Sequence, residues 1–185
     1  DRNSQVAFGA SGAAGAFLSP LLGKPNDFKD LVTKSLIFST NFYKNLGEEL
    51  VSNCGVCRIP KNEEDRDKFE SYKPYMDFKY TQMDDGYFFE IGSQVTPSLI
   101  CEKLTKDIEK KLSYNVIKLE QNENFTWIIN DEICAKNIIL TTGADVKHIK
   151  EDYFDIRGVW GQKIDVSTTT ETKINYHKEC SVSKA

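Results

Sequence analysis

The sequence predicts an α/β chain in which short strands alternate with helices, and three observations predict it. A run of small residues from Phe8 to Pro20 follows an acidic Asp1. A helical apolar pattern then covers residues 27–50. Beyond it, short β-branched and aromatic runs are separated by turn signals and interrupted by further helical stretches.

The run Phe8-Gly9-Ala10-Ser11-Gly12-Ala13-Ala14-Gly15-Ala16-Phe17-Leu18-Ser19-Pro20 lets a backbone approach something large and flat without side chains in the way. It precedes a helix, where free N–H groups face an anion. An acid, a short loop and such a run read as the second half of a dinucleotide-binding unit. On that reading the first half, a strand and a G-x-G-x-x-G turn, is not in this chain. The bland alternatives are a flexible Gly/Ala loop and a frayed terminal aspartate.

Residues 1–23 are expected to be loop. Over 27–50, Phe28, Leu31, Val32, Leu36, Phe38, Phe42 and Leu46 recur at helical spacing, with Asp27 as a cap and Gly47 as a stop. Gly55 to Pro60 is a strand, and Asn62 to Ser71 a short charged helix. Gly86 to Gly92 is an aromatic strand behind the turn Asp84-Asp85-Gly86. Thr96-Pro97 opens a helix running to about Leu112. Strands follow at Asn115–Glu120, Phe125–Ile129 and Ile133–Thr141, with a tight turn at Asn130-Asp131-Glu132. The unalternated Ile138-Ile139-Leu140 suits a strand buried on both faces. Val159 to Val166 is a further strand candidate.

A length of 185 residues allows one domain or parts of two, and a net charge of -4 argues against holding nucleic acid by bulk electrostatics. No apolar run approaches the roughly 20 residues that cross a bilayer. Five irregularly spaced cysteines point to a reducing cytoplasm. Cys54 and Cys57 form a C-x-x-C, but one pair does not close a zinc site. In an extended segment the two also point to opposite faces, so no metal is assigned. His148 and His177, far apart in sequence, read as surface or capping residues. Lys106 to Lys111 reads as a solvated helix face.

Several segments, in order, resemble the FAD-dependent amine oxidases of the glycine oxidase and D-amino-acid oxidase type. They are Gly9 to Pro20, Phe42-Tyr43-x-x-Leu46, Cys54-Gly55-Val56-x-x-Ile59, Val95-Thr96-Pro97 with Leu99-Ile100-Cys101, Asn137 to Ala144, and Ile156 to Gln162. Within that family the chain is most similar to the oxidoreductase half of the MnmC-type enzymes that modify the tRNA wobble uridine. The resemblance implies an incomplete FAD-binding Rossmann-like domain interleaved with a mixed-sheet substrate domain. Residues 1–50 and 95–150 would belong to the first, and 51–94 and 151–185 to the second. It implies FAD as cofactor, held by Asp1 at the ribose, by Ser11, Gly12, Ala13 and Gly15 near the pyrophosphate and ring, by Val116 at the adenine and by Gly143 in a close loop. Val116 is equally readable as an ordinary sheet residue, and Gly143 as an ordinary strand end.

Arg157 and Gln162 would face the substrate, Arg157 serving either as a carboxylate or phosphate clamp or as a structural ion-pair partner. The implied reaction oxidises a secondary amine, hydrolyses the imine and passes electrons to dioxygen. In the tRNA case a carboxymethylaminomethyl-uridine would lose its carboxymethyl group. A free amino acid such as glycine, sarcosine or a D-amino acid is the alternative substrate, and a non-catalytic or inactive module is the alternative of another class. No residue in the chain is assigned as a general base.

Overall fold

The structure, a computed structural model, describes residues 1–144 and 156–184. In chain order the elements are α1 (Ala10–Ala13), β1 (Phe17–Leu18), α2 (Asp27–Leu46), β2 (Val51–Ser52), β3 (Val56–Arg58) and α3 (Glu63–Tyr72). Then come β4 (Thr81–Met83), β5 (Gly86–Phe89), β6 (Ser93–Val95), α4 (Pro97–Leu104), β7 (Leu119–Gln121), β8 (Trp127–Ile129), β9 (Ile133–Ala135), β10 (Asn175–His177) and β11 (Ser181–Val182). The strands form sheets of order β1-β6-β2, β11-β10-β3-β5-β4 and β7-β8-β9. This is the mixed α/β class expected from the sequence.

Two apolar clusters hold the chain together. Leu50, Val51, Val95 and Ile100 are buried between the first sheet and the helices, with Leu18, Tyr43 and Leu46 against them. Val56, Phe69, Tyr87 and Phe89 are buried between the five-stranded sheet and α3, with Leu22 and Tyr80 alongside. The segment after α1 therefore serves both clusters, Leu18 in one and Leu22 in the other.

The five-stranded sheet is mixed. β3 pairs antiparallel with β5 (Val56↔Phe89) and parallel with β10 (Arg58↔His177). Gly55, just ahead of β3, has φ +73, and an added Cβ would stand 2.3 Å from the Phe88 ring. Only glycine fits there without displacing that ring. Lys29, in the first turn of α2, is almost fully buried and pairs with Asp77 at 2.7 Å, which ties the helix to the loop after α3.

Several expectations are corrected. Asn26, not Asp27, caps α2: its extended backbone lets Oδ1 accept from the Lys29 N–H at 2.9 Å, while Asp27 already lies in the first turn. Asn26→Ala should lower stability by about 1 kcal/mol, read as a shift of the urea midpoint at unchanged slope. The helix opened by Pro97 stops at Leu104 rather than near Leu112. There Thr105 Oγ1 bonds back to the Cys101 carbonyl at 2.8 Å, and the charged residues beyond offer little apolar surface to bury. Residues 1–23 contain a helical turn and a short strand instead of loop alone.

The strand expected at Asn115–Glu120 begins only at Leu119, so Val116 is not on a strand. Ile133–Thr141 is reduced to Ile133–Ala135, and Ile139 is 87% exposed rather than buried. Val159–Val166 forms no strand, and Trp160 is 96% exposed. Both runs have strand composition, but a strand exists only as part of a ladder, and neither has a partner among the described residues. His148 and the expected boundary at 150/151 lie outside the described residues.

The apolar pattern of α2 covers two faces. Lys29, Leu36 and Thr40 are buried, whereas Phe28, Leu31 and Phe38 on the other side are exposed, with Phe38 stacked on Phe42 at 5.7 Å. A helix apolar on both sides is the kind that larger folds bury.

Candidate functional site

The small-residue run builds its place from the backbone up. Gly12 N–H and Ala14 N–H close on the Gly9 and Ser11 carbonyls, making the turn of α1. An added Cβ on Gly12 would sit 2.1 Å from the Ala7 carbonyl oxygen, so this turn requires glycine. The chain then runs along β6: Gln94 Nε2 donates to the Gly15 carbonyl at 3.1 Å, and Val95 N–H donates to the Ala16 carbonyl at 3.1 Å. β1 continues the pairing, Phe17 opposite Gln94.

Beside this contact lies a cavity of about 400 Å³. Ala14, the β2 residues Val51 and Ser52, the β6 residues Gln94 and Val95, and the start of α4 at Thr96 and Pro97 line it, together with Glu48, Glu49 and Lys163. Thr96 N–H donates to the Leu50 carbonyl at 3.1 Å, fixing α4 against β2. Lys103 bonds Glu49 at 2.9 Å and thereby holds its carboxyl below the usual carboxylate range. With Glu49 paired to Lys103 and Glu48 set against Lys163, the lining carries no excess of positive charge and suits a neutral group better than a phosphate.

Asp1 sits elsewhere. Its carboxylate accepts the Asn3 N–H at 2.8 Å, its terminal ammonium donates to the Lys111 carbonyl, and its own carbonyl accepts from Tyr114 N–H at 2.8 Å. Ser113 N–H donates to the Asn3 carbonyl at 2.8 Å, so residues 1–3 lie along 111–114, two residues from Val116. The structure thus brings Asp1 and the Val116 segment together.

It also brings the run ending at Gly15 to the same cavity as Lys163, the neighbour of Gln162. Ser11, Gly12, Ala13, Gly15, Gly143, Arg157 and Gln162 are not themselves in that lining. Ser11, Ala13, Gly15, Arg157 and Gln162 are exposed, and Gly143, at φ +64, has open space around it. Sequence reasoning missed Glu48, Glu49, Ser52 and Gln94. The strand ahead of Thr96-Pro97 is a signal that would have found Gln94, since a strand running into a helix start places polar residues at a sheet end.

The residues present fit a dinucleotide at two points. An exposed carboxylate beside 113–116 suits a nucleoside end, and the uncharged side of the cavity at Ala14, Val51, Gln94 and Pro97 suits a ring. Cys54 and Cys57 are free thiols, and burial pushes the Cys57 thiol up. No group of three metal-ligating side chains occurs among the described residues, and no helix there is long and apolar enough to cross a membrane.

No protein-family model matches the chain, and no curated protein does. Solved structures do. Glycine oxidase from Geobacillus kaustophilus superposes with a TM-score of 0.60 at 13% identity, covering 77% of this chain and 48% of that protein. Iminodiacetate oxidase from Chelativorans sp. BNC1 superposes at 0.47 and 12% identity, covering 68% of this chain and 43% of that one. The chain spans about half the length of the glycine oxidase it is similar to. At this identity the likeness is one of fold: the chain has the mixed α/β fold found in glycine oxidase.

Proposed function

We propose that this chain is part of a flavin-dependent oxidoreductase acting on the C–N bond of a secondary amine. The observation that carries the reading is the cavity beside Ala14, where the small-residue run and the segment ending at Lys163 meet. The fold shared with glycine oxidase supports it. So does the exposed aromatic face of α2, which suits a helix covered by further strands in a longer protein.

In this reading Asp1 holds the ribose hydroxyls. Ser11, Gly12, Ala13 and Gly15 carry the pyrophosphate and ring edge on backbone and hydroxyl donors, the Val116 backbone meets the adenine, and Gly143 lets its loop pass close by. Flavin supplies a two-electron acceptor for the amine. Glu48, the lining carboxylate not paired with Lys103, favours an ammonium entering the cavity, while Arg157 and Gln162, exposed and outside the lining, orient its anionic end. The finer proposal is that the substrate is the carboxymethylaminomethyl group of a tRNA wobble uridine. It rests on the resemblance of Gly9–Pro20 and Arg157–Gln162. Free glycine, sarcosine or a D-amino acid is the competing substrate, favoured by the likeness to glycine oxidase.

The test is the visible absorption of a longer chain that carries a preceding G-x-G-x-x-G segment. A yellow protein bleached by secondary amines without oxygen is expected, with flavin affinity falling about tenfold or more in Gly12→Val, equivalent to about 1.4 kcal/mol. A folded longer chain that takes up no flavin overturns the proposal. A gel shift with tRNA that weakens with salt favours the tRNA substrate; turnover of free amino acids without tRNA binding favours the competing one.

A further inference from the structure

A second cavity, of about 270 Å³, lies where the carboxyl ends of the parallel strands β3 and β10 meet α3. Arg58 and His177, register partners on the two strands, line it with Lys61, Lys178 and a single carboxylate, Asp65. Leu22, Ile59 and Phe69 supply apolar walls. We propose that this cavity binds a dianionic phosphoryl group, free or as a small monoester.

The charges argue for it. Arg58, Lys61 and Lys178 form no ion pair within 4 Å among the described residues, although each lines the same small space. Three cations against one carboxylate leave an excess of two positive charges, which a phosphate dianion matches. Asp65 is also partly occupied, since its Oδ2 accepts the Lys61 backbone N–H at 3.0 Å.

Arg58 is held in place by neutral acceptors only. Nη1 donates to Ser19 Oγ at 3.3 Å and to the Pro20 carbonyl at 3.0 Å, while Nε is buried with no acceptor among the described residues. A half-buried guanidinium with a donor unspent and Asp65 acting on it only through space, without a direct ion pair, is costly to maintain, and an oxyanion relieves that cost. Its planar donor set suits a phosphoryl group.

His177 reports on the same field. Burial, then Arg58 and Lys61, hold its imidazole below the ordinary value of 6.5. The groups facing it are Arg58 from β3, Lys61 from the following loop, Asp65 and Tyr72 from α3, Lys178 beside it, and Ser181 of β11, whose Oγ lies 2.7 Å from Nδ1. A bound dianion would reverse the effect and raise the imidazole's pKa.

The experiment follows the His177 ring by NMR in the 185-residue chain. Inorganic phosphate, glycerol phosphate and sulfate are titrated at constant ionic strength set with sodium chloride. Sulfate keeps its charge across the titration range, so a pH dependence seen with it belongs to the protein. Saturable binding with a rise in the His177 pKa is expected. Affinity should be at least about tenfold weaker in Lys61→Ala/Lys178→Ala, where both substitutions remove cations without touching the cores. Tighter binding of glycerol phosphate supports the site as one for a monoester, and tighter inorganic phosphate supports it as one for the free ion. A response reproduced by chloride alone, or unchanged affinity in the folded double variant, overturns the proposal.

Discussion

Phe89→Ala is expected to lower the unfolding free energy by about 4 kcal/mol, the largest single-residue effect in this protein. Phe89 is 0% exposed and stands in β5, an interior strand of the five-stranded sheet. It lies opposite Val56, also fully buried, and its ring is 6.0 Å from that of Tyr80. Tyr80 in turn meets the Tyr87 ring edge-on at 5.2 Å, and Phe69 packs 5.9 Å from Tyr87. Truncation removes the group on which this aromatic cluster closes. The backbone around it cannot collapse into the gap, because β3 and β4 are both hydrogen-bonded to β5. The lost transfer energy and the residual cavity therefore add. Urea denaturation reads the effect, and Phe89→Leu should recover most of it. A loss below about 1.5 kcal/mol for the alanine variant would mean that this cluster is not packed as described.

Asp77→Asn should cost about 2 kcal/mol at neutral pH, because it leaves a nearly buried cation without its counter-charge. Lys29 is only 3% exposed. Its ammonium meets Asp77 at 2.7 Å and donates to the Tyr75 carbonyl. That carbonyl remains in the variant, and Asp77 itself is partly open to water, so the loss stays below that of a fully buried pair. The hydrogen bond from Lys29, aided by Thr33, holds the Asp77 carboxyl below its ordinary value of 3.8. A depressed carboxyl contributes stability that is fully present above that value and is lost as the pH falls through the folded-state value. The gap between wild type and Asp77→Asn should therefore be widest at neutral pH and close progressively in acid below about 3.8. Urea midpoints at several pH values measure it. A gap that persists unchanged into strong acid would show that the effect is one of shape and not of charge.

The locally determined features of the candidate site were legible, and the long-range ones were not. The close-backbone character of Gly12 follows from its neighbours, as does the helix start at Pro97 that walls the first cavity. The meeting of Ala14 with Glu48 and Ser52 depends on β6 pairing with both β1 and β2, which no local pattern encodes. The parallel pairing of β3 with β10, which makes the cationic cavity, joins residues more than a hundred positions apart.

By itself the sequence determined the mixed α/β class and the elements whose causes lie within a few residues. Asn62 caps α3 through the Asp65 N–H. Asn130 and Asp131 take positive φ, at 50° and 61°, in the turn between β8 and β9. Capping and turn chemistry act over three or four residues, so the local sequence places such elements, although at α2 it put the cap on Asp27, one residue past Asn26. Only the tertiary structure decided which side of α2 is buried, that Lys29 goes inside, and that Ile138-Ile139-Leu140 stays outside a ladder. Burial and strand pairing are properties of a partner surface, and an apolar run carries no record of whether that surface is there.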